Sequence, residues 1–381
     1  MHSSTKIRLS LTDIFMGAIC MFPIATLLQD EGIINKLLFA FVLGVLLFRI
    51  VTGTMKRKTF FWLAILVAHY VYVLIITTFP LRNLNLLFYF PFFLLYTYFM
   101  TDNSKKIMDW FASHEGFLKT VLYVWSGLVL ISAFLPSSYH IKEGGAYYFG
   151  SFCGNIFRLG PTALFIQILA LVYQRLFQKR SAMAFSILPM YCYFIGSSRT
   201  YLVVGLCVFV VAWFYFCKTR KVFWQSVIPI AIVLLTLTSV AAIGEKIMYT
   251  LDENNYGDFW FRITSSRSEI WSEILLAWNK ESLIHKVLGT SLNFSYDAAG
   301  LWAHNDFLEI AVSFGLFGVL QYCLSMGNLL RSKGQEDKMH FVVAMCVFLV
   351  WFFNAFTNMH YTYFCAVLSF PLLVFAAKHR A

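Results

Sequence analysis

The chain has 381 residues, of which 59% are hydrophobic, 19% aromatic and only 13% charged, with a formal net charge of +11. Soluble domains carry about a quarter charged residues, so the composition excludes an ordinary soluble globular protein and points to an all-α polytopic membrane protein. In a soluble chain the positive excess would suggest nucleic acid; here the positive-inside rule accounts for it, and no nucleic-acid partner is implied.

A bilayer core is crossed by about 20 apolar residues of helix. Taken in order, the sequence offers about twelve such segments: 11–28, 33–51, 60–79, 84–100, 117–136, 159–177, 182–197, 200–217, 223–243, 304–330, 340–358 and 361–377. Residues 1–243 thus hold helices one to nine, 244–303 form a long polar loop, and 304–381 hold helices ten to twelve. The first segment has no convincing cleavage site and reads as a retained signal anchor. With both termini in the cytoplasm, ten of the 30 lysines and arginines face outward (Lys36, Arg82, Lys142, Arg158, Arg199, Lys246, Arg262, Arg267, Lys280 and Lys286) and the rest face inward. The outer ten are spread over far more loop sequence, which is the asymmetry the rule predicts. Of the eight cysteines, Cys153 alone lies in an outer loop and the others fall in or beside apolar segments. No disulfide framework, metal site or cofactor is expected from this pattern.

Charge is nearly missing from the predicted helix centres. Arg49 and Arg175 sit near inner helix ends, where long side chains can snorkel, and Asp13 lies at the inner end of the first helix. His69 is the clearest mid-helix ionisable group and reads as a neutral, hydrogen-bonded packing histidine. The remaining charges gather at the outer rim: Arg158, Arg199, Arg262, Arg267, His304, Asp306 and Glu309. An ion-coupled transporter places such groups at the bilayer midplane, so the distribution favours chemistry at the outer face. The transporter alternative predicts that His69 and Asn354 matter and that the rim residues do not.

Within the outer loop, Ser266 and Glu269 stand at capping-box spacing. They open a helix whose apolar stripe is Ile270, Trp271, Ile274, Leu275 and Trp278, set to lie on the membrane or against the bundle. Arg267 falls in its first turn. Arginine presents a planar fork suited to phosphate; the competing reading pairs Arg262 and Arg267 with lipid headgroups or with Glu269. Arg199 follows Gly196-Ser-Ser at a helix start, where the helix dipole already favours an anion, and Arg158 is similarly placed before Gly160-Pro161. His304 opens the tenth helix. A histidine there can accept a proton from a hydroxyl near neutral pH, with Asn305, Asp306 or Glu309 orienting the ring or a substrate, or it can simply cap the helix. His140, His285 and His360 are also expected outside, without comparable neighbours. Tyr147, Tyr148, Phe149, Tyr256, Phe259, Trp260 and Trp302 can stack on sugar faces or form an interfacial belt.

The succession Gly196-Ser-Ser-Arg-Thr200, Arg267-Ser-Glu-Ile-Trp271, Val287-Leu-Gly-Thr-Ser291 and His304-Asn-Asp-Phe-Leu308 with Gly315-Leu-Phe-Gly318 resembles the O-antigen polymerase and ligase superfamily. The motifs cover about residues 150–330. The resemblance implies a GT-C-type, metal-independent, inverting glycosyltransferase of the bacterial inner membrane, acting at the periplasmic face. Its substrates would be undecaprenyl-diphosphate-linked oligosaccharides, and a chain-length regulator is an admissible partner beside membrane lipid. Carried over by motif, Arg199 and Arg267 hold the donor diphosphate and His304 activates the acceptor hydroxyl. Arg158, Arg262, Asn305, Asp306 and Glu309 are the expected substrate-binding residues. An O-antigen or related surface-polysaccharide polymerase is the first expectation. A ligase acting on lipid A–core is the alternative, and a polysaccharide-unit flippase is a third reading from a different class.

Overall fold

The computed structural model describes residues 10–28, 33–52, 57–141, 147–196, 198–217, 219–226, 267–332, 339–357 and 360–379. Its helices are α1 (Leu11–Leu28), α2 (Ile33–Val51), α3 (Arg57–Ile76), α4 (Leu86–Ser113), α5 (Glu115–Ala133), α6 (Ile156–Phe177), α7 (Ala184–Ile195) and α8 (Arg199–Phe216), then α9 (Arg267–Asn279), α10 (Leu283–Leu288), α11 (Phe294–Ala299), α12 (Asp306–Arg331), α13 (Phe341–Thr357) and α14 (Phe364–Lys378). Among the described residues the fold is all-α, apart from a short antiparallel pair, β1 (Tyr139–Ile141) and β2 (Tyr147–Phe149), in which His140 faces Tyr148. Among the described residues, four helices are long and apolar enough to cross a membrane, at Leu11–Leu28, Glu115–Ala133, Phe157–Phe177 and Asp306–Arg331, and shorter apolar helices accompany them. Such a bundle is compatible with membrane insertion. Eleven of the apolar segments read from the sequence coincide with helices. Most of the candidate at 223–243 lies outside the described residues, as do Arg262, Ser266 and the side chain of Arg199.

A helix that is apolar on every side belongs in an interior, and α6 and α14 are the two that fill it. Every residue of α14 from Cys365 to Lys378 is buried, and α6 is enclosed along nearly its whole length. Polar groups in this core act as interhelical ties. Gln167 and Gln174, two turns apart on α6, donate to the carbonyls of Gly205 and Ala212 on α8, each at 3.0 Å. Tyr96 on α4 donates to Leu368 on α14 at 2.9 Å.

Two sequence expectations change. The fourth helix runs to Ser113 rather than stopping near residue 100. Its polar extension is amphipathic: Ile107, Met108, Trp110 and Phe111 are buried, and the Trp110 indole donates to Asp13 at 2.8 Å. Cys153 is buried in a 3-10 turn, its thiol directed at the Gly150 carbonyl at 3.0 Å, so it is not an exposed loop cysteine.

The element that positions the site is α12, which is broken at Gly315 (φ 69, ψ 179). Where a helix breaks inside a bundle, the carbonyls that lose their partners must find others. Val312 O receives both the backbone N–H of Thr290 at 3.1 Å and its hydroxyl at 2.6 Å. This brings Gly289 (φ 104) against the break. A Cβ on Gly315 would strike the Val287 carbonyl oxygen, and one on Gly289 would strike that of Ser313. From this crossing the chain continues to the turn between α3 and α4. There Asn293 donates to the carbonyls of Thr78 (3.0 Å) and Pro80 (3.1 Å) and accepts from Arg82 N (3.0 Å). His69 contacts the Leu288 carbonyl at 2.9 Å, consistent with a packing histidine.

Gly315→Ala and Gly289→Ala are each expected to cost about 3 kcal/mol or more, combining the left-handed penalty with a backbone clash. Gly300→Ala, also at positive φ (69) but with open space around it, should cost about 1 kcal/mol. Melting temperatures in detergent check the contrast; equal losses at the three positions would remove the crossing as the cause.

Candidate active site

The mouth of α12 is built around Ala303, His304 and Asn305. Trp271 on α9 donates its indole N–H to the Ala303 carbonyl at 2.6 Å, and the Ala303 N–H donates to Glu309 Oε2 at 3.1 Å. Asn305 is the N-cap: its side-chain oxygen accepts from Leu308 N at 3.1 Å, an arrangement that contributes about 1 kcal/mol to a helix. His304 lies between these two pinned residues and adopts φ 49. For a residue with a Cβ this conformation costs roughly 1–2 kcal/mol, and the flanking bonds maintain it. The helix therefore begins at Asp306, two residues beyond the start expected at His304.

The amphipathic stripe of α9 packs against the bundle. Ile274 is fully buried with Ala303 and Val312, and Ile270, Trp271 and Trp278 close over them. Leu275, expected on the same stripe, is exposed. Docking α9 in this way places Arg267, its first residue, beside His304. The Arg267 guanidinium donates to the carbonyl of Thr357, the last residue of α13, an arrangement favoured at a helix C-terminus. The Thr357 hydroxyl in turn meets that of Thr200 at 2.8 Å, so the first turn of α8, which contains Arg199, joins the same corner. Burial first, and then the nearby Arg267 cation, push the His304 imidazole down to about 4. The ring is neutral at physiological pH and able to accept a proton.

The remaining expected residues separate into distinct roles. Asn305, Asp306 and Glu309 are buried, at 5%, 0% and 1% exposure, and they bond to Leu308, Tyr322, Ala303 and Ser313 within the protein. Asp306 Oδ2 accepts from the Tyr322 hydroxyl at 2.7 Å, and that hydroxyl accepts from the Trp351 indole at 3.1 Å. His360, expected to lack comparable neighbours, is buried 3.9 Å from the same carboxylate. That separation is proximity rather than a hydrogen bond, and burial lowers His360 to about 4, leaving a neutral ring. Tyr322, Trp351 and Thr357 escaped the sequence reading, and His360 entered it without a role. They stand 16 to 54 residues from Asp306, with no shared motif to link them. Arg158 lies in the first turn of α6 and lines a different pocket. His285 pairs with Glu281 at 2.8 Å, and Trp302 lies tilted against Tyr296 with ring centres 5.5 Å apart.

Compared with known protein-family models and with curated proteins, the chain matches none of them.

His304 and His360 have folded pKa values below the ordinary 6.5. Above pH 6.5 both rings are neutral whether the chain is folded or not. As pH falls from 6.5 towards 4, the unfolded chain takes up protons on these two residues that the folded one refuses, so their contribution to stability is lost across that window. The melting temperature of the wild-type protein should therefore fall relative to that of His304→Gln between pH 6.5 and 4. An unchanged slope would show that His304 is solvated.

Proposed function

We propose that the protein is a glycosyltransferase that polymerises a surface polysaccharide, moving a growing glycan from its polyisoprenyl diphosphate onto a lipid-linked repeat unit. The supporting observation is a neutral, conformationally fixed histidine beside an anchored arginine at one helix mouth, with the start of α8 at the same corner. The succession of motifs shared in kind with O-antigen polymerases and ligases supplies the substrate class. The full reading has twelve spans, a GT-C-type frame in the bacterial inner membrane and the His304 mouth on the periplasmic side.

In this reading Arg267, with Arg199, receives the diphosphate, and the two guanidinium groups stabilise the charge that develops as the lipid diphosphate departs. Holding two lipid-tethered substrates side by side supplies proximity. His304 takes the proton of the acceptor hydroxyl as that oxygen attacks the anomeric carbon, giving inversion. The diphosphate also answers the low basicity of the His304 imidazole. An anion placed against Arg267 offsets the cation that depresses the imidazole, raising its pKa when substrate is bound. Asn305, Asp306 and Glu309 act by holding the mouth in shape.

The deciding experiment uses the purified protein in lipid with undecaprenyl-diphosphate-linked repeat units, EDTA and no lipid A–core. A ladder of lengthening glycans is expected. Products that appear only after lipid A–core is added would make the protein a ligase, and no product in either case would favour transport. His304→Ala and Arg267→Ala should each lower turnover by about a hundredfold or more, the scale of a lost base or charge-stabilising donor. Arg199→Lys should also be poor, because an ammonium offers no bidentate fork. The acid limb of kcat/KM, which reports the free protein, should fall at lower pH than that of kcat, which reports the substrate-bound site. Coincident limbs would refute the electrostatic coupling.

A further inference from the structure

The chain reaches Gly289 and the break in α12 through α10, a helix with no buried residue. Its sequence is two-sided. Leu283, Ile284, Val287 and Leu288 fall at i, i+1, i+4 and i+5, one side of a helix, and leave His285 and Lys286 on the other. The polar side is satisfied within the loop: His285 pairs with Glu281, and the Lys286 ammonium donates to the Asn279 carbonyl, both at 2.8 Å. The apolar side is open. Leu283 is 77% exposed and Ile284 63%, and Val287 is exposed beside them.

The neighbours of this open face identify what covers it. The Leu288 carbonyl meets His69, which stands seven residues before the end of α3 at Ile76. Seven residues of helix rise about 10 Å, so α10 ends well below the outer end of α3. Around that level α3 exposes Val67, Val71 and Ile75, a stripe at every fourth residue. On the other side the Val287 carbonyl lies against Gly315, and the helix beyond exposes Leu316, Leu320 and Leu324 at the same spacing. His69 links the two helices, its ring centre 4.9 Å from that of Phe317. In a membrane-spanning bundle such stripes face acyl chains, and the last turn of α10 is set between them. Beyond it the chain turns inward. Thr290 and Ser291 are buried and bonded to Val312 and Thr78, as irregular backbone at membrane depth requires.

We propose that α10 is a re-entrant anchor in the outer leaflet, with Leu283, Ile284 and Val287 among the acyl chains of bilayer phospholipids. Lys286, reaching back to Asn279, brings its charge to the entry of α10 beside Lys280. Both ammonium groups then lie at the level of the lipid phosphates, their stems along the apolar surface. An amphipathic helix in this position sinks about 5–10 Å below the membrane surface, in keeping with the depth at which His69 meets α10. Val287 is two residues from Gly289, so the leaflet's hold on α10 also holds the loop against the break in α12. The inference rests on the reading of the bundle as membrane-spanning and is independent of the transferase chemistry.

The test places photoreactive benzoylphenylalanine at Ile284 of the full chain, which is reconstituted in phosphatidylcholine nanodiscs and irradiated. Intact mass then reads the adduct. Ile284 is exposed, so an unchanged melting temperature verifies that the variant is folded, and Leu283 provides a second position. Ile75, on the α3 stripe, is the lipid-facing reference; Asp297, exposed beside Arg82, is the solvent-facing one. One phosphatidylcholine should add at Ile284 and Leu283 with a yield within about twofold of Ile75, and at Asp297 with about a tenth of it or less. Lipid adducts at Ile75 alone, or equal labelling at Asp297, would overturn the proposal. So would adducts from Ile284 to a peptide of this chain or of a second copy. No lipid at Ile75 would overturn the membrane reading, and the proposal with it.

Discussion

The interaction on which the site rests is the double hydrogen bond from Thr290 to the carbonyl of Val312. A helix in an apolar medium can be interrupted only if another part of the protein takes over the released backbone groups. Thr290 meets that requirement with both its N–H and its hydroxyl, and in doing so it fixes the loop strand to the helix. Gly289 and Gly315 allow the two backbones to approach closely enough for these bonds to form. Asn293 then carries the constraint outward to the turn between α3 and α4. The break, the loop and the helix mouth form one mechanically continuous unit, and α9 lies over it through Ile274 and Trp271.

The proposed chemistry depends on two effects acting in the same direction on one imidazole. Burial and a neighbouring guanidinium both disfavour the charged ring, so His304 stays available as an acceptor. Its backbone is held in a conformation that a histidine would rarely choose, between an indole donor on one side and a capping asparagine on the other. Orientation is therefore fixed by the protein itself, the condition under which the electrostatic stabilisation proposed for this site is most effective. Asp306 contributes from beneath, through Tyr322 and Trp351, by tying α12 to α13.

The helices were legible because period and apolarity are local properties: a stretch such as 364–378 declares itself without reference to its neighbours. The motif glycines were visible too, but their meaning was not. That Gly289 and Gly315 touch follows from a contact across 26 residues, and nothing local to either marks it. Arg267 and His304 were singled out by residue type and position, and their closeness required α9 to dock. The part least visible was the support. Thr357 and His360 follow an apolar helix and carry no signal of their own, and they become meaningful only when α13 ends beside α8 and α12. The extension of α4 was missed for a related reason: its charges suggested a loop, while its buried residues are spaced for a helix face.

At the foot of α12, far from His304, the Lys378 ammonium donates to the carbonyls of Leu330 (2.5 Å) and Ser332 (2.7 Å). Those carbonyls belong to the last turn of the helix, where a cation is worth most. The group that satisfies them is made 46 to 48 residues later. During synthesis α12 therefore emerges with an incomplete end, and it acquires its cap only after α13 and α14 have been inserted and packed. The helix that presents His304 is thus made well before the residue that completes its far end.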